Sequence, residues 1–112
     1  MRILVCGGRD YKDDRRVHEV LAKYFDKDMT IIEGGANGAD RSAQNWAKLY
    51  NVKLETFPAD WDKYGKRAGF IRNGQMLKEG KPDMVIAFPG GKGTEMMAML
   101  AEKAGVKVVR IE

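Results

Sequence analysis

One stretch constrains the fold more than any other: Met84-Val85-Ile86-Ala87-Phe88-Pro89-Gly90-Gly91-Lys92-Gly93-Thr94. Its apolar opening is too short for a globular helix and is bounded by proline and glycine, which makes it a buried strand. Glycines follow at 90, 91 and 93, and then Met97, Leu100, Ala101 and Ala104 recur at helical spacing. Strand, glycine loop and helix start together present free backbone N–H groups to an anion. Glycine also lets the backbone approach a ligand with no Cβ in between. Thr94 suits a helix cap, and its hydroxyl equally suits a phosphate. A tight strand-to-helix turn without a ligand would use the same order of elements.

The loop is not a Walker motif, which needs lysine directly after its last glycine, whereas Lys92 precedes Gly93. It is not the dinucleotide fingerprint either, since no third glycine follows Gly91-Lys92-Gly93 at the required place.

The rest of the chain repeats this grammar. Arg2–Cys6 reads as a first strand ending at Gly7-Gly8-Arg9-Asp10. A helix follows with Val17, Val20, Leu21, Tyr24 and Phe25 on one face and Asp13 and Asp14 at its positive end. Thr30–Ile32 is a second strand, running into Glu33-Gly34-Gly35-Ala36-Asn37-Gly38-Ala39-Asp40. The next helix places Ala39, Ala43, Trp46, Ala47 and Tyr50 on its inner face, and Val52–Phe57 is a third strand. Pro58–Trp61 opens a loop, and a helix over 68–78 turns Phe70, Ile71 and Leu77 inward. After the fourth strand and its helix, Gly105 provides the stop, and Val106–Ile111 is the last strand. Strands alternating with helices predict an α/β fold, a parallel sheet covered on both faces with right-handed crossovers.

Composition narrows the function classes. A chain of 112 residues, with no linker or internal repeat, predicts a single domain spanning 1–112. No apolar run approaches the length of a membrane span, and no signal peptide precedes the first strand. A single cysteine excludes an intrachain disulfide and predicts a reducing, cytoplasmic setting. Cys6 reads as a small core residue, and His18 as structural or solvated. One histidine and one cysteine make no metal-ligand cluster, so neither a metal nor a cofactor is expected. The net charge of +4 favours an anionic partner.

In such a sheet a ligand lies beyond the carboxyl ends of the strands, at the topological switch point. There the sequence gathers Gly7-Gly8-Arg9-Asp10, Gly34-Gly35-Ala36-Asn37-Gly38 and Pro89-Gly90-Gly91-Lys92-Gly93. One strand-to-helix loop needs about one glycine, so this rim predicts backbone approach to a phosphate-bearing ligand. Arg9 and Arg72 suit bidentate contact with phosphate or carboxylate, or a surface salt bridge. Asp10 and Asp40 suit ribose hydroxyls, and Asp40 equally suits a cap of the second helix. Trp61 and Tyr64 either stack on a base or pack as core. Lys63, Lys66 and Arg67 either steer phosphate or form a solvated face.

Together these motifs resemble the YspA-type, YpsA-related branch of the SLOG superfamily, which also holds the LOG phosphoribohydrolases and the DNA-processing protein DprA. Gly7–Tyr11, Gly34–Asp40, Pro58–Trp61, the run Ala68-Gly69-Phe70-Ile71-Arg72-Asn73 and the Pro-Gly-Gly-Lys-Gly-Thr loop carry the resemblance over nearly the whole chain. It implies a Rossmann-like three-layer sandwich with strand order 3-2-1-4-5. It also implies a pocket for a nucleotide or a nucleotide-derived, ADP-ribose-like ligand, and a homodimer or higher homo-oligomer paired through helices beside the pocket. The expected ligand-binding residues are those of the three glycine loops with Thr94, Asp40, Trp61, Arg72 and Asn73.

One position departs from the hydrolases of the group, which carry Pro-Gly-Gly-x-Gly-Thr-x-x-Glu. Met97 stands where that glutamate would be, and Glu95 points about 200° away from it on a helix. A sensor or sequestering module is therefore the first expectation. A nucleoside monophosphate phosphoribohydrolase is the second, with Glu33 and Arg72 as its catalytic residues. A single-stranded nucleic-acid binder is the third, weakened by 16 acidic residues among the basic ones.

Overall fold

Short strands without polar alternation need cover on both faces, and the central strands here have it. The computed structural model describes residues 1–112. In chain order the elements are β1 (Arg2–Cys6), α1 (Asp14–Ala22), β2 (Thr30–Glu33), α2 (Ala39–Leu49), β3 (Lys53–Thr56), α3 (Trp61–Tyr64), α4 (Ala68–Gly80), β4 (Met84–Ala87), α5 (Lys92–Lys103) and β5 (Lys107–Arg110). A 3₁₀ turn over Gly65–Arg67 joins α3 to α4. All strands are parallel, in the order β3-β2-β1-β4-β5. This is the expected sheet.

Register explains the layering. Leu4 lies beside Ile32 on one side and Val85 on the other, and Ile3 lies between Ile31 and Met84. Successive residues face opposite sides. Ile3 and Val5 enter a core shared with Val17, Val20 and Leu21 of α1 and Ala43, Trp46 and Ala47 of α2. Leu4 and Cys6 enter a second core with Met76 of α4 and with Met97 and Ala101 of α5. Helices α1 and α2 thus cover one face, and α4 and α5 the other. The chain changes face between β1 and β4, so the loops after those strands part and leave a crevice. The edge strands β3 and β5 keep their outer residues exposed. Arg2, at the start of β1, reaches across the sheet to pair bidentately with Glu55 at 2.9 and 2.7 Å. No helix is long and apolar enough to cross a membrane.

Several local expectations change. The segment after Pro58 is not all loop: the Asp60 carboxylate accepts from the Lys63 N–H and starts the single turn of α3. On α4 the buried residues are Ala68, Asn73, Met76 and Gly80, and Leu77 packs against the second core as expected, whereas Phe70 is 45% exposed. A polar residue, Asn73, occupies the inner stripe and displaces the apolar periodicity. Tyr50 is also exposed, closing an edge of aromatics in which its ring lies 5.4 Å from Trp46. Thr94 is not a cap. It is the third residue of α5, and Gly91 takes the N-cap position with no side-chain bond. Gly105 ends that helix at φ +79.

Met97 is 0% exposed in the second core. A glutamate there would lose buried apolar contacts and need to bury a carboxyl group. Met97→Glu should lower unfolding free energy by about 3 kcal/mol or more, read by urea denaturation at neutral pH.

Candidate functional site

A cavity of about 720 Å³ opens beyond the carboxyl ends of β1 and β4. Val5 and Cys6 form its floor, and three walls rise from it: Gly7–Tyr11 after β1, Pro89–Thr94 around the start of α5, and the α3–α4 segment with Trp61, Lys66 and Arg72. A smaller pocket of about 240 Å³ adjoins it beside Gly34–Asn37 and Pro58–Ala59. Arg9, Ala36, Trp61 and Arg72 border both.

The glycines of the rim divide into two kinds. The first kind packs closely against other segments. Gly8 donates its N–H to the Pro89 carbonyl at 2.9 Å, and its carbonyl accepts from the Tyr11 and Ala39 N–H groups at 3.2 and 3.4 Å. A Cβ on Gly8 would lie 3.1 Å from the Gly90 Cα. Gly38, at φ +77, sits where any Cβ would collide with the carbonyls of Gly8 and Arg9. The space beside Gly34 holds the Arg72 guanidinium, and a Cβ on Gly90 would strike Thr94 and the Gly8 nitrogen. The second kind is open: Cβ atoms on Gly91 or Gly93 would meet nothing within 4 Å. Part of the glycine richness that the sequence assigned to a ligand therefore serves loop-to-loop packing.

The loop after β2 also differs from expectation. Its amides are turned inward onto two carboxylates. Asp40 Oδ2 accepts from Gly34 and Ala36 at 3.1 and 3.2 Å, and Glu33 Oε1 accepts from Gly35 at 2.7 Å. Asp40 thus braces the preceding loop instead of capping α2, whose N-cap is Gly38 without a side-chain bond. Glu33 is 0% exposed and also accepts from Gln44 Nε2 and the Thr56 hydroxyl. It borders neither pocket, so the carboxylate expected to serve a hydrolase lies behind the loop.

Arg72 forms a strut. Its Nη1 donates to the Gly34 carbonyl at 2.6 Å and its Nε to Asn73 Oδ1 at 3.1 Å, while Asn73 Nδ2 donates to the Gly93 carbonyl at 3.2 Å. One helix is thereby tied to the loop after β2 and to the first turn of α5. Burial lowers the Arg72 pKa from its ordinary value, with the Asp40 carboxylate opposing. Arg9 lies over the Trp61 ring at 5.2 Å from its centre, a cation–π contact at the mouth.

Asp40 is 6% exposed and borders the cavity. Burial pushes its carboxyl up to about 7; the Glu33 charge adds to this, while the Ala36 and Gly34 amides and Arg72 oppose it. Burial also pushes the Cys6 thiol up to about 12.

Most expected ligand residues meet at these two pockets. Gly7, Gly8, Arg9, Asp10, Ala36, Asp40, Trp61, Arg72, Asn73, Pro89, Gly90, Gly91, Gly93 and Thr94 border the larger one, and Gly34, Gly35 and Asn37 the smaller. Gly38 and Lys92 border neither. Of the basic run only Lys66 reaches the cavity. Tyr64 is half-exposed beside Lys63 and lies outside. Sequence reasoning missed Tyr11, Gly69, Phe70 and Met76 as wall residues. Gly69, Phe70 and Met76 fall three or four residues from Asn73, so the stripe through that residue was the available signal.

A family model described as YspA, cpYpsA-related SLOG family matches residues 1–64. The Gene 61 protein of Mycobacterium phage D29 is 37% identical over 118 residues, covering 96% of this chain and 94% of that protein. Among solved structures, the crystal structure of UDP-GlcNAc 2-epimerase from Neisseria meningitidis bound to UDP-GlcNAc aligns with a TM-score of 0.54 at 16% identity. That alignment covers 100% of this chain and 32% of the epimerase chain, and it establishes a shared Rossmann-like fold.

The raised Asp40 value has a consequence for stability. From the ordinary aspartate range up to about 7 the folded chain holds more protons than the unfolded one, so stability falls as pH rises through that window. Asparagine mimics the neutral acid at every pH. The melting temperature of Asp40→Asn relative to the parent should therefore be higher at pH 8 than at pH 5, as differential scanning fluorimetry would show.

Proposed function

This chain belongs to the YspA, cpYpsA-related SLOG family, and on that premise we propose that it binds a nucleotide or nucleotide-derived, ADP-ribose-like ligand in the 720 Å³ cavity. Family and fold together support a nucleotide-related binding module in general terms. The volume falls in the range of small-molecule sites, roughly 300–1,000 Å³.

The contrast between the glycine loops carries the phosphate assignment. In the β2–α2 loop the Gly34, Gly35 and Ala36 amides are taken up by Asp40 and Glu33. The start of α5 has no side-chain cap, and Gly91 and Gly93 leave open space in front of it. A helix N-terminus left in that state favours an anion through its free N–H groups and its dipole. Arg9 and Lys66 add positive charge at the mouth, and Trp61 offers an aromatic face for a base. The chain's role is to sense or sequester the ligand. Turnover is not part of this reading, because Met97 is sealed in the core and Glu33 lies behind its loop.

Gly91→Val tests the phosphate position cleanly, because a Cβ there meets no protein atom. Nucleotide affinity should fall at least tenfold in calorimetry while the melting temperature stays within about 2 °C of the parent. Retained affinity in the folded variant would disprove the assignment. Native mass spectrometry of protein purified from cells should show a co-purifying nucleotide.

The homodimer belongs to the same proposal. Met99 is 50% exposed on α5, beside half-buried Met96. Such a surface suits a second copy. Sedimentation at micromolar concentration should give about twice 12.6 kDa, and a monomer would contradict it.

A further inference from the structure

Asp40 has one engaged and one unengaged carboxylate oxygen. Oδ2 accepts from both the Gly34 and the Ala36 amide. Oδ1 has no protein partner. Ser42 Oγ is the one buried side-chain polar atom left wholly without a partner, so Oδ1 is not sealed away: it opens to the cavity that Asp40 borders. With its two amide bonds in place, Oδ2 cannot also carry a proton without losing one of them. A proton on this group therefore sits on Oδ1, and the side chain then points an O–H donor at the ligand space.

We propose that Asp40 meets the ligand as a neutral carboxylic acid, donating Oδ1–H to an acceptor oxygen of an anionic ligand, so that filling the cavity takes up a proton. The inference rests on the nucleotide reading above and specifies the ligand chemistry at one wall: an acceptor, such as a phosphoryl or carbonyl oxygen, where a hydroxyl would serve an ionised aspartate.

The surroundings divide, with burial the largest influence and the Ala36 and Gly34 amides opposing it. Glu33, behind the loop on β2, opposes ionisation of Asp40, and burial opposes it more strongly. Arg72 on α4 favours ionisation, but its Nη1 and Nε are committed to Gly34 and Asn73. Cys6 on β1, with its thiol pushed up to about 12, stays neutral across the working range. Arg9, from the loop after β1, acts on Arg72 in the same direction as burial, lowering its pKa. An incoming anion adds negative potential and removes water, and both changes favour the protonated acid further.

The test uses ADP-ribose, whose pyrophosphate carries no group that titrates between pH 6 and pH 9. Calorimetry at pH 8 in two buffers of different ionisation enthalpy should show net proton uptake approaching one per site. Affinity should weaken up to tenfold per pH unit above about 7. Asp40→Asn can keep its oxygen on the two amides and turn an N–H to the ligand. It should bind with an affinity independent of pH and tighter than the parent at pH 8.5. Binding with no uptake, or with proton release, would overturn the proposal, as would loss of binding in a folded Asp40→Asn. No binding of ADP-ribose at any pH would overturn the nucleotide reading and the inference with it.

Discussion

The site depends on the backbone of Gly8 touching other segments at once. Its N–H reaches Pro89, its carbonyl takes the amides of Tyr11 and Ala39, and Gly38 and Gly90 lie against it with no room for side chains. Those contacts join the ends of β1 and β4 and the start of α2 at the place where the chain changes face. A methyl group at Gly38 or Gly90 would force the segments apart, and one at Gly8 would press on Pro89 and Gly90. The cavity is the space that remains above this junction, so its shape follows from backbone packing before any ligand is considered.

The fold was legible because its signals are local. Ile3 to Cys6, Ile31 and Ile32, and Met84 to Ala87 are apolar runs closed by glycine, and their burial on both faces requires a parallel sheet with helices on either side. The rim was legible for the same reason, since each strand end announces itself with glycine. What each glycine does was not legible. Gly38 and Gly91 look alike in the sequence, yet one is locked against Gly8 and the other faces open space. That difference lies in contacts between segments far apart in the chain.

Side-chain roles were obscured in a similar way. Asp40 at a helix start has the pattern of a cap, but the partners of its carboxylate are amides of the preceding loop. Glu33 ends a strand and looks available, yet Gln44 and Thr56 close over it. On α4 the apolar residues Phe70 and Ile71 suggested one inner face, and the buried Asn73 set another, because its amide bridges Arg72 to Gly93. Short polar contacts across the crevice overrode the hydrophobic period there.

The inward-turned loop after β2 has a thermodynamic meaning. A backbone concavity that binds an anion is commonly mobile until the anion arrives, and ordering it then weakens affinity. Here two internal carboxylates occupy the amides of Gly34, Gly35 and Ala36 from the outset. The chain acts as its own ligand at that loop. The conformational entropy of fixing it is lost during folding, not at the encounter with a partner, and the wall beside Arg72 is set by the fold itself.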